Sequence, residues 1–158
     1  MRRTIKPISI RTEADMQDRK KEIDEAIEAG RKALQALDEA AEKLGSAKRW
    51  GIWDIVGGGL VSSLVKHSRI DDARKLLQQA RNELESFSDE LDDIQENLPE
   101  FDLEISDLVS TFDIVFDNVF ADVLVQEKVE ETAWEVDKTR TRVKDAVDRL
   151  CELRQESD

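Results

Sequence analysis

Apolar residues recur at alternating spacings of three and four along three long stretches of the chain. The clearest stretch is 69–98, and the same spacing with interruptions runs through 12–44 and 126–156. The apolar positions of 69–98 are Ile70, Ala73, Leu77, Ala80, Leu84, Phe87, Leu91, Ile94 and Leu98. This spacing is typical of the buried seam of a coiled-coil helix. The sequence therefore predicts an all-α protein, a bundle of three long coiled-coil helices in one domain, 1–158.

Local signals set the predicted ends of the first helix, 12–44. Thr12 and Asp15 have the spacing of a capping box, and Gly45 is typical of the residue just past a helix end. A basic arm, 1–11, precedes this helix.

The second and third helices are bounded in the same way. Ser68 and Asp71 repeat the capping spacing, which predicts a break and a new helix over 69–98. Pro99 ends that helix and opens a linker over 99–111. The last helix covers 126–156.

Two short apolar segments, 46–67 and 112–125, separate the long helices. A shift of 59 residues superposes Trp53-Asp-Ile-Val56 on Phe112-Asp-Ile-Val115 and keeps the helical seams in register. This coincidence predicts an internal duplication, each half consisting of an apolar segment followed by a long helix.

The duplication bears on topology. A helix over 69–98 is about 45 Å long, and the linker over 99–111, if fully extended, reaches about 43–47 Å. A linker that returns along the helix would bring 112–125 beside 46–67 in one small apolar head, and would make the second and last helices parallel. An antiparallel hairpin of those two helices is the alternative, because short connections are common.

The head has two candidate roles. As a packing joint, it would let a phenylalanine ring fill the space left by glycine; the residues of this joint are Trp53, Gly57, Gly58, Gly59, Phe112 and Phe116. As a site for a divalent ion or an anion, it would gather charged side chains. The residues of this cluster are Asp54, Lys66, His67, Asp113, Asp117 and Asp122. The same aspartates could instead pair with basic residues of the head.

Charge and composition narrow the classes of function. The chain of 158 residues has a net charge of −13, and its acidic middle disfavours nucleic acid. A single cysteine predicts no internal disulfide and a reducing, cytoplasmic location. With one histidine and one cysteine far apart in sequence, we expect no catalytic dyad, no enzyme activity and no cofactor. Trp134 lies off the seam, where it would contact a partner or be covered by its own chain.

Three motifs together resemble a known group. They are Trp53-Asp-x-x-Gly-Gly-Gly59, then Lys66-His67-Ser68-x-Ile70-Asp71, and later Phe112-Asp-x-x-Phe-Asp-Asn-x-Phe-x-Asp122. Over roughly residues 40–155 the chain resembles a family of uncharacterised, mostly bacterial coiled-coil proteins. The resemblance implies the coiled-coil architecture and no particular reaction.

From these patterns we expect a non-enzymatic coiled-coil interaction or scaffold protein, with a protein partner or self-association as a homodimer. A protein that binds a small ligand or divalent metal through the head is one alternative. A peripheral membrane protein that inserts the Trp-rich head is another, although a membrane partner is not expected. The stretch over 50–65, which contains Asp54, is too short and too polar to span a membrane.

Overall fold

The computed structural model describes the backbone of residues 12–56, 62–97, 109–110, 112–113 and 126–157, and the side chains of 12–45, 71–96, 109–110, 112–113 and 130–157. Three long helices are present in this part of the chain: α1 (Glu13–Val56), α2 (Ser62–Asn97) and α3 (Gln126–Glu156). Residues 109–110 and 112–113 are also helical. The predicted all-α bundle is confirmed.

The start of α1 has the predicted capping box. The Thr12 N–H donates to Asp15 Oδ2 at 3.1 Å, and the Asp15 N–H donates to Thr12 Oγ1 at 3.3 Å. Hydrogen bonding to Thr12, first through its side chain and then through its backbone, lowers the pKa of Asp15. Two N–H groups at the helix start, which have no partner within the helix, are satisfied in this way.

The predicted end of the first helix at Gly45 is wrong, because α1 continues to Val56. A glycine stop requires a left-handed backbone, and no glycine in the described residues has a positive φ. Leu44, directly before Gly45, is buried in the core at 1 % exposure. Burial of Leu44 in the core therefore helps to offset the helix-propensity cost of this glycine, about 1 kcal/mol.

The predicted break at Ser68 is also wrong, because α2 begins at Ser62 and passes Ser68 without interruption. A capping serine is favoured where the N–H groups of the first turn lack partners. Once 62–67 is helical, the carbonyls of that turn accept those N–H groups. The bounds of α3, by contrast, agree with the predicted 126–156.

Ion pairs establish the directions of the helices. Lys43 Nζ of α1 lies 3.0 Å from Asp72 Oδ2 near the start of α2, so α1 and α2 are antiparallel across their hairpin. Two ion pairs join α1 to α3, Asp24 with Arg154 at 2.9 Å and Asp38 with Arg140 at 2.5 Å. The earlier residue of α1 pairs with the later residue of α3, so these two helices are also antiparallel. Since α2 and α3 both run antiparallel to α1, they are parallel to each other. The alternative of an antiparallel hairpin of α2 and α3 is wrong, and the chain returns between them.

The predicted seams form the core. Every predicted apolar position of α2 from Ala73 to Ile94 is at most 2 % exposed. Matching positions of α3 under the 59-residue shift are buried alike from Thr132 to Leu150, as in the pairs Leu77 with Val136 and Leu84 with Val143, whereas Leu153, the match of the buried Ile94, is only partly buried. Internal duplication stays a prediction, and the similar burial of most equivalent positions agrees with it.

Helix α1 is the central element of the bundle. It packs against both α2 and α3, while no Cα pair between α2 and α3 comes within 8 Å in the described ranges. A helix with two neighbours needs two buried faces, and the second face of α1 is a row of small residues. The row consists of Ala26, Ala29, Gly30, Ala33, Ala36 and Ala40, all buried.

Gly30 is a point of tight packing between all three helices. A Cβ atom at this position would lie 2.8 Å from Phe87 Cε2 of α2 and still closer to Val147 Cγ2 of α3. Side chains of both neighbouring helices therefore occupy the space that any other residue at position 30 would need.

We expect Gly30→Ala to destabilise the protein by about 1–3 kcal/mol, because overpacking outweighs the gain in helix propensity. Urea unfolding measures the effect. The cost should be smaller in a Val147→Ala background, which removes the nearest obstruction.

Gly45→Ala is the matched control, because nothing lies within 4 Å of a Cβ at position 45. This variant should gain up to about 1 kcal/mol from helix propensity alone. Equal effects of alanine at positions 30 and 45 would contradict the packing role of Gly30.

Candidate functional site

One member of the predicted charged cluster, Asp113, has a described side chain, and it pairs with α2. Its Oδ1 lies 2.8 Å from Arg81 Nε, and Arg81 Nε also lies 3.3 Å from Glu85 Oε1. The contact between Arg81 Nε and Asp113 Oδ1 is an ion pair, and both of these atoms are buried. Phe112, its neighbour, is 1 % exposed.

This ion pair places 112–113 beside the middle of α2 and not at the predicted head. Arg81 and His67 lie on the same helix, separated by about 21 Å at 1.5 Å per residue. The prediction that Phe112 and Asp113 lie in the head is therefore wrong. Because 109–110 and 112–113 are helical, the chain advances less per residue than the extended linker of the prediction.

The other head residues lie outside the described side chains. For the charged cluster these are Asp54, Lys66, His67, Asp117 and Asp122. For the packing joint they are Trp53, Gly57, Gly58, Gly59 and Phe116. Both roles of the head stay predictions, but Asp113 and Phe112 are no longer members of either set, because they lie beside the middle of α2.

Asp113→Asn should weaken the attachment of 109–113 to α2. The two side chains are about one-third exposed although the contacting atoms are buried, so loss of the pair should cost about 1 kcal/mol, which corresponds to roughly fivefold faster amide hydrogen exchange at 112–113. Asp148→Asn, which removes a carboxylate from the exposed pair with Lys144, is the control and should leave that exchange unchanged. Identical exchange in both variants would show that burial of Phe112 alone holds the segment.

Acidic side chains crowd the second half of α2, where every charged residue after Arg81 is acidic. Glu90 is half-buried there. Burial raises its pKa, and repulsion from Glu25, Asp93 and Asp89 raises it further. The ionised form of Glu90 is therefore less favourable in the folded protein than in the unfolded chain.

The raised pKa gives a signed prediction. The folded state holds the Glu90 proton more tightly, so stability falls as pH rises above the ordinary value of 4.5 and Glu90 ionises. Glu90→Gln should stabilise the protein at pH 7 by up to about 0.5 kcal/mol, and this gain should vanish at about pH 3.5. Urea unfolding at both pH values tests this. Glu152→Gln makes the same charge change at an exposed position of α3 and should lack this pH-dependent gain. A gain of Glu90→Gln that persists at low pH would contradict ionisation of Glu90 as its cause.

A tryptophan is exposed on the outer face of α3. Thr132 and Val136, two positions to either side, are buried against α1 at 3 % and 0 %. At 100° per residue, Trp134 is turned about 160° from each and so faces outward. Its exposure is 61 %, and Lys138 Nζ lies 5.0 Å from the centroid of its ring.

Acidic residues surround this tryptophan. Glu130, Glu131 and Asp137 are exposed and lie three or four positions away, on the same side of the helix. Asp137 Oδ1 also lies 3.3 Å from Arg140 Nη1, so its charge is partly balanced. We call Glu130, Glu131, Trp134, Asp137 and Lys138 together the Trp134 surface. The sequence indicated Trp134 by its position off the seam, and the structure shows that the described residues leave it uncovered.

Among the described residues, no group of three or more histidine, cysteine, aspartate or glutamate side chains has the arrangement to hold a metal ion. No helix in that part of the chain combines the length and apolar character needed to cross a membrane. Comparison of the chain with protein-family models, curated proteins and solved structures found no significant match. The resemblance to a coiled-coil family stays a prediction.

Proposed function

We propose that the protein is a non-enzymatic coiled-coil interaction or scaffold protein that binds a protein partner through the Trp134 surface. The observation that carries this proposal is the 61 % exposure of Trp134 on a long helix whose opposite face is fixed in the core. Solvent-exposed tryptophan on a rigid helix is typical of the anchor residues of protein interfaces.

The energetics favour such an anchor. Burying a large apolar side chain stabilises a complex by roughly 1.5–3 kcal/mol. Little of this is lost to ordering of the backbone, because Ala133 and Val136 already hold this turn of α3 against the core.

A cytoplasmic location is part of the same proposal, supported by the single Cys151 of the chain. Self-association as a homodimer is the second candidate for the partner. The measured oligomeric state distinguishes the two.

Site-specific photo-crosslinking tests the proposal in cells that express the protein. A photoreactive residue in place of Glu131, one turn from Trp134, should give a defined cross-linked species, and Trp134→Ala should abolish it. Because Trp134 is exposed, this substitution should change the free energy of unfolding by less than about 0.5 kcal/mol.

The control places the same photoreactive residue at Glu152, an exposed position about 32 Å further along α3. Cross-linked species common to both positions, or insensitive to Trp134→Ala, would contradict the proposed role of the surface.

A further inference from the structure

We propose that the occupant of the Trp134 surface is a cationic segment of the partner, which places an arginine side chain against the indole ring. This inference rests on the proposed function and adds the chemistry of the partner. It follows from the cation already on the ring, from the charge around it and from the geometry of a helix face.

The indole ring of Trp134 already carries a cation. Lys138 Nζ lies 5.0 Å from the ring centroid, within the range of about 6 Å in which a cation is attracted to an aromatic face. Lys138 leaves the side chain 61 % exposed, so a second group has access to it. The contact shows that the face of the ring is accessible to a cation along the helix surface.

Charge around the ring selects the same kind of partner. Three carboxylates, of Glu130, Glu131 and Asp137, lie around the ring together with two cations, the Lys138 ammonium group and the Arg140 guanidinium group that pairs with Asp137. The surface is therefore net negative, on a chain whose total charge is −13. An acidic partner would be repelled, and a cationic one attracted and steered to the site.

Arginine satisfies both features at once. Its planar guanidinium group stacks on an aromatic ring and can also donate two parallel hydrogen bonds to a carboxylate. Glu131 lies one turn from Trp134, close enough for one guanidinium group to meet both the ring and a carboxylate. Lysine has a single ammonium group and cannot form this planar double contact.

The test uses the full chain and a capped, flexible Gly-Ser peptide with four arginines as the probe. Binding is followed by the indole N–H resonance of Trp134 in NMR spectra, assigned with Trp134→Phe. We expect saturable shifts of this resonance, at least tenfold weaker binding when citrulline replaces arginine, and severalfold weaker binding by Trp134→Ala.

Charge-matched variants separate the site from general attraction to an acidic protein. Glu131→Gln should weaken peptide binding about threefold or more, and Glu152→Gln, with the same net charge, should have a much smaller effect. Lys138→Gln should tighten binding about twofold because it frees the ring, whereas Lys144→Gln should not. Equal effects of Glu131→Gln and Glu152→Gln, or an unshifted Trp134 resonance, would overturn the inference.

The remaining outcomes are also decisive. Equal affinity of the citrulline peptide would mean that the ring binds apolar groups and that the cationic partner is wrong. A dimer in sedimentation analysis that Trp134→Ala dissociates would assign the surface to a second copy of this chain. Partner cross-linking at position 131 without arginine-peptide binding would leave the proposed function standing and reject the chemistry; failure of both would reject both.

Discussion

The structure depends on the ability of α1 to pack against two helices at once. An alanine-rich face brings α2 and α3 close to its backbone, and at Gly30 the side chains of Phe87 and Val147 approach the space of the missing Cβ. In the described ranges α2 and α3 make no close backbone contact with each other, so their common partner fixes their relative position. Close packing on small residues thus joins the two halves of the chain, and a larger side chain in α1 would separate one half from it.

Electrostatics then select the direction and register of this packing. An apolar face alone permits several alignments of long helices, because seams of similar spacing fit one another at successive turns. Two pairs of oppositely charged residues, Asp24 with Arg154 and Asp38 with Arg140, form together in the observed antiparallel register, and a shift of α3 by one turn would separate both pairs. Each partly exposed pair contributes little to stability, so the main effect of these pairs is to disfavour shifted alignments.

The sequence was sufficient to predict the long helices and their main buried seams. It was insufficient where the structure depends on contacts between residues distant in sequence. The α2 seam was predictable because its large apolar residues recur without interruption, and Ala73 to Ile94 are indeed buried. The second face of α1 was missed because alanine is a weak signal of burial. Gly45 and Ser68 are local stop and start signals that α1 and α2 pass without a break, and the role of Gly30 depends on Phe87 and Val147, remote in sequence. Trp134 was recognisable by its departure from the seam, whereas the pairing of Asp113 with Arg81 required the path of the returning chain.

The separation of α3 into a face that packs on α1 and an outer face also bears on function. Residues that hold the bundle are apolar or small and face α1, so the outer face of α3 is free to vary without loss of the core. Trp134 occupies that outer face, one turn from Glu130 and Glu131, while Thr132 and Val136 keep the helix fixed beneath it. A ring presented in this way loses little conformational entropy on binding, and the acidic side chains around it are exposed enough to exchange water for a cationic partner. Rigidity produced by the packing of α1 is therefore what would make a single exposed tryptophan effective as a binding anchor.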